Sequence, residues 1–93
     1  MKIAGFVWLE EIVEKIEAKH GVSPEEVEEV FASEPQVRRM EKGHFRGEDV
    51  YRALGQTEAG RYLVVFFIYK LTQEALILSA RDMDRKERRI YAR

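Results

Sequence analysis

Eight consecutive apolar residues, Tyr62 to Tyr69 (YLVVFFIY), do most to limit what this chain can become. With the two-residue period of a strand, Tyr62, Val64, Phe66 and Ile68 fall on one side. Leu63, Val65, Phe67 and Tyr69 fall on the other. A strand that is apolar on both sides must be covered on both, so this segment, taken as 61–70, is expected at the centre of a sheet. Eight residues are far too few to cross a bilayer, and no membrane partner is expected.

The rest of the chain supplies the cover. Gly5-Phe6-Val7-Trp8 reads as a short strand or an extended lead-in. Leu9, Ile12, Val13 and Ile16 follow the i, i+3, i+4, i+7 spacing of an amphipathic helix, which His20-Gly21 ends. Ser23-Pro24-Glu25-Glu26 opens a second helix: serine caps, proline takes the first position and Glu26 closes a capping box. Val27, Val30 and Phe31 form its apolar stripe, and Ser33-Glu34-Pro35 stops it. Beyond that the period falls to two. Strands are expected over 36–40, 50–54, 61–70 and 75–81, joined by turns over 41–47 and 55–60. Asp82 or Asp84 caps a last helix, and Asp84 with Glu87 repeats the capping-box spacing. The order is β-α-α-β-β-β-β-α. That is an α+β fold with an antiparallel sheet of about four strands, two N-terminal helices and one C-terminal helix.

Ninety-three residues, 45 % apolar and 35 % charged, suit one globular domain spanning 1–93. The chain has no cysteine, which excludes disulfides and thiolate metal sites and fits a reducing compartment. Its first residues turn acidic too early for a signal peptide, so a cytoplasmic location is expected. The charge is lopsided. Residues 1–34 hold nine glutamates against Lys2, Lys15 and Lys19. Arg81 to Arg93 holds six basic residues against three acidic ones. Such asymmetry suits an anionic partner at the basic end. It equally suits two solvated helices of opposite sign.

Several chemistries lack their residues. The only imidazoles, His20 and His44, stand in different elements, and no metal-ligand spacing occurs, so neither metal nor cofactor is expected. The glycines fit no phosphate-cradling pattern. Nucleic acid remains. Arg81 ends a strand just before a helix, where backbone N–H groups and cations converge on phosphate. Arg85, Arg88 and Arg89 share one side of that helix, with Lys86 beside them and Lys19 at the end of the first helix. Tyr91 offers a stacking face or a hydroxyl. Alternatively Met83, Ile90 and Tyr91 merely pack the helix while its arginines stay solvated.

Cleaving RNA without a metal needs little protein. The 2′-hydroxyl attacks the neighbouring phosphate while side chains take a proton, give a proton and stabilise the phosphorane. His20, Glu48, Arg52, Arg61, Arg81 and Tyr91 are residues of the right types. Each has a structural alternative as well. His20 suits a helix C-terminus by its charge. Glu48 and Arg52, four apart on a strand, would also make an ion pair. Arg61 would simply begin its strand.

The ordered series of segments is similar to the BrnT-type toxins, ribonuclease toxins of type II toxin–antitoxin systems. It includes Phe6-x-Trp8, Lys19-His20-Gly21-Val22-Ser23 before an EEVEEVF helix, and Glu48-Asp49-x-Tyr51-Arg52-Ala53-Leu54-Gly55. It continues with Gly60-Arg61-Tyr62-Leu63-Val64-Val65-Phe66, then Ser79-Ala80-Arg81 and Lys86-Glu87-Arg88-x-x-Tyr91. The resemblance implies a RelE-like fold and metal-independent endoribonuclease activity that inhibits translation. It implies a BrnA-type antitoxin partner, with DNA reached only through that antitoxin. Its functional positions fall on His20, Glu48, Arg52, Arg61, Arg81 and Tyr91. Two positions depart from many relatives: Glu17-Ala18 stand near where an asparagine is common, and Asp82 follows Arg81 where a basic residue is frequent. A non-catalytic module that binds RNA or an antitoxin-like protein is the alternative.

Overall fold

The computed structural model describes residues 1–93. The elements are β1 (Gly5–Val7), α1 (Glu10–His20), α2 (Pro24–Ala32), β2 (Gln36–Glu41), β3 (Val50–Gln56), β4 (Tyr62–Tyr69), β5 (Glu74–Asp82) and α3 (Arg85–Tyr91). They make an α+β protein with one sheet in the order β1-β5-β4-β3-β2. The doubly apolar β4 takes the middle, as its sequence requires.

The sheet has five strands rather than about four. β1 joins it as an edge strand parallel to β5, with Phe6 opposite Ala75. What fixes so short a strand is the Phe6 ring, packed edge-on against Phe31 with centroids 5.2 Å apart. The other pairings, β2–β3, β3–β4 and β4–β5, are antiparallel. β3 runs past the expected end at Leu54, through Gly55, to Gln56. A Cβ on Gly55 would meet Val30 Cγ1 at 2.9 Å, so the missing side chain is what lets α2 lie close against β3.

Both capping boxes form. Ser23 accepts from the Glu26 N–H, and Asp84, not Asp82, accepts from the Glu87 N–H. Gly21 closes α1 at φ +60°, a left-handed turn that costs a glycine nothing.

The sheet separates two cores. On one side, Ile16, Val22, Val27 and Val30 of the α1–α2 hairpin pack on Leu63, Val65, Phe67, Ala75, Ile77 and Ala80. Phe67 also meets the Phe31 ring edge-on at 5.0 Å and stacks on Tyr51 at 5.7 Å. On the other side, a small core of Leu54, Val64 and Met83 is flanked by Tyr62, Phe66, Ile90 and Tyr91. Here α3 covers only one end of the sheet, and the remainder is open.

Candidate nucleic-acid interface

Antiparallel register puts opposed residues on one face. Arg38 of β2 opposes Arg52 of β3, Arg52 opposes Phe66 of β4, and Phe66 opposes Ser79 of β5. These four form a row across the face that carries α3. Arg81, which opposes Val64, sets its guanidinium over the Phe66 ring at 5.7 Å. Phe66 is therefore flanked by two arginines.

Their situations differ. Arg81 is spent on Glu87 through two hydrogen bonds of 2.8 and 2.9 Å. Burial pushes the Glu87 carboxyl up, but the Arg81 guanidinium and the Asp84 N–H hold it below the usual range. The same Glu87 bonds raise Arg81. Arg52 is 9 % exposed, its Nε finds no hydrogen-bond partner, and none of the four ion pairs includes it. A buried guanidinium N–H left without an acceptor costs roughly 1–3 kcal/mol, which an anionic group seated there would relieve.

Further along the same face, Arg88 lies over the Tyr62 ring at 4.1 Å, and Tyr62 meets Tyr91 edge-on at 6.0 Å. The Tyr91 carbonyl accepts from Gln36 Nε2 at 2.8 Å, which brings the end of α3 to β2 two residues from Arg38. Arg85, Arg88 and Arg89 gather with Met83 and Ala92 around an open depression of about 480 Å³. Lys86 is exposed on the same helix.

The structure does not assemble the remaining candidates here. Arg61 binds Asp82 at 2.7 and 3.1 Å, Glu26 at 3.3 Å, and the backbone carbonyls of His20 and Gly21 at 2.9 and 2.8 Å. It fastens the α1–α2 turn to the ends of β4 and β5. The Arg61 bonds hold Asp82 below the usual carboxylate range. Asp82 opposes the core residue Leu63, so Arg61 and His20 lie on the α1–α2 side, across the sheet from Arg52. Lys19 is exposed on that side too. Glu48 precedes β3 in an exposed loop and makes no ion pair with Arg52. Glu48 does not share a strand face with Arg52, because the loop before β3 folds on Asp49, whose Oδ1 accepts from the Gly43 N–H at 2.8 Å. The first turn of α3 offers no open phosphate cradle either, since Asp84 and Glu87 already occupy it.

Sequence reading missed four contributors. Arg38 and Phe66 enter by register, which no single segment displays. Glu41 opposes Val50, two residues from Arg52, and so brings a carboxylate onto this face. Glu87 was legible as a cap, but not as the partner of Arg81.

An α+β chain with a basic, aromatic-lined sheet face has the features of a candidate surface for an anionic polymer. A sequence model of the family described as "Ribonuclease toxin, BrnT, of type II toxin-antitoxin system" matches residues 8–87. The chain belongs to that family of ribonuclease toxins, whose members act on RNA and are paired with a protein antitoxin. A search of curated proteins gave no match. No helix is long and apolar enough to cross a membrane.

Proposed function

We propose that this chain is a metal-independent endoribonuclease that cuts RNA by attack of a 2′-hydroxyl on its own 3′-phosphate, and thereby stops translation. The observation that carries this is the buried, unpartnered Nε of Arg52, on a row with Arg38 and Phe66. A scissile phosphate seated there gains a charge-assisted donor just where the phosphorane's negative charge grows. Tyr91 and Glu41, on the same face, are the candidates to move protons. His20, Glu48 and Arg61 are assigned no contact with the reacting atoms. Arg81 positions Phe66 and α3 unless RNA displaces Glu87. Arg85, Lys86, Arg88 and Arg89 extend the phosphate track, and Lys19 lies off it.

The partner is a BrnA-type antitoxin, through which alone the complex reaches DNA, and the setting is the cytoplasm. The two helices on one face and the short helix on the other support a RelE-like architecture.

The test is cleavage of labelled single-stranded RNA in EDTA with the product ends identified. Ends bearing 2′,3′-cyclic phosphate, lost in Arg52→Ala, are expected. No cleavage, with or without ribosomes, overturns the reading. A second reading, a binding module without chemistry, is favoured by the saturation of Arg81 and Arg61. In that case the chain expresses freely without its partner.

A further inference from the structure

We infer that the free edge of β2 is the docking site of an extended segment of the antitoxin, bound as a sixth strand whose side chains alternate apolar and acidic. The inference rests on the family's having a protein partner, not on the cleavage chemistry.

β2 is the end strand of the sheet and pairs with β3 alone. Its six residues, Gln36 to Glu41, are exposed except for Val37. An unpaired row of N–H and C=O groups is a template for another strand. What could add to it is limited by charge. Arg38 and Arg39 stand on the strand and Lys42 and Arg46 follow it; Asp49 pairs with Arg39 at 3.5 Å, which leaves Arg38 without an ion pair. A second copy would bring a second Arg38 and Arg39 to this edge, whereas an acidic chain complements it.

The two faces of the edge fix the pattern. On the α3 side the added strand meets Arg38. On the other side, where Val37 packs with the main core, an apolar crevice of about 250 Å³ opens between Met1, Ile3, Phe31, Glu34, Pro35 and Val37. A strand laid along β2 turns one side chain of every pair toward that crevice and the other toward the arginine. Apolar residues fit the first position and carboxylates the second. Since Arg38 opposes Arg52, a carboxylate there competes with RNA phosphate for the same charge. Where Arg52 carries the cleavage, docking at the edge and cleavage exclude one another.

The probe is a short labelled peptide of alternating valine and glutamate, titrated onto the whole chain with no RNA present. The expected result is saturable binding with slowed amide exchange confined to β2 and its neighbour β3. The same peptide N-methylated on alternate amides loses binding, and a valine–lysine peptide or Arg38→Glu weakens it on the order of tenfold. Arg38 is exposed, so that variant keeps the fold, and its circular dichroism verifies this. Equal binding by the N-methylated peptide overturns the inference, because charge alone then explains it. So does protection of β2 by single-stranded RNA but not by the peptide, or self-association of the chain through this edge. These readouts are independent of cleavage, so an inactive chain that still binds the peptide overturns only the enzymatic reading.

Discussion

The two faces of the sheet are made of the same strands and do opposite jobs. Under α1 and α2, eleven buried residues form one continuous apolar core, and Arg61 at its end is engaged with carboxylates and carbonyls. Under α3, three buried residues hold a seven-residue helix at one end, and Arg38, Arg52 and Arg81 stand around Phe66 on the open remainder. The larger core lies on one face, and the unpartnered Arg52 Nε lies on the other. The lesson is that the cost of Arg52 is set against the burial of Phe67 and its neighbours on the opposite face.

The sharpest way to break this contrast is to weaken each core in turn. Phe67→Ala is expected to cost about 3–5 kcal/mol and Met83→Ala only about 2 kcal/mol, read from denaturant unfolding. Equal losses would mean that both faces share the stability. Removing Arg52 tests the other half. Arg52→Ala should lower cleavage on the order of 100-fold while the unfolding midpoint stays level or rises, since a strained charge is gone. A drop in stability matching the drop in activity would make Arg52 structural.

The engaged arginines should behave in the opposite manner. Arg61→Ala is expected to cost about 1.5–3 kcal/mol through its charged hydrogen bonds, with cleavage per folded molecule unchanged. Acid should reveal the same ion pairs. Glu87 and Asp82 titrate below their ordinary values in the fold, so their stabilisation is complete above the ordinary carboxylate range and is lost as pH falls through the depressed values. Glu87→Gln should flatten the acid limb of the stability curve, read from unfolding midpoints across the acid range. Smallest of all, Arg88→Ala should cost about 0.5–1 kcal/mol for the lost contact with Tyr62, and should loosen α3 in hydrogen exchange without moving the main core.

Much of the architecture was legible because its signals are local. The double apolar face of β4, the two capping boxes and the glycine after His20 each sit within one segment, and each forms as read. β1 was harder: three residues carry no periodicity, and only the burial of Phe6 against Phe31, far away in sequence, makes them a strand. The site was harder still. Arg81 was chosen for its place at a strand end, yet Glu87, six residues on, neutralises it. Arg61 and His20 do meet, but on the side of the sheet away from α3, and through the His20 backbone. Arg85, Arg88 and Arg89 do share a side, because helical spacing decides that directly. Arg52 was picked out by type, whereas its isolation depends on register with Arg38 and Phe66, which only the paired strands display.

The bare backbone at Gly55 has a consequence for genetics. A substitution there pushes Val30 away and pries α2 from β3, on the face remote from Arg52. A screen for harmless variants would score Gly55 as strongly as any residue that touches RNA. Survivors of such a selection will therefore mark two kinds of position, those that meet the nucleic acid and those that merely let a helix come near. Only a count of folded molecules in each survivor tells the two apart.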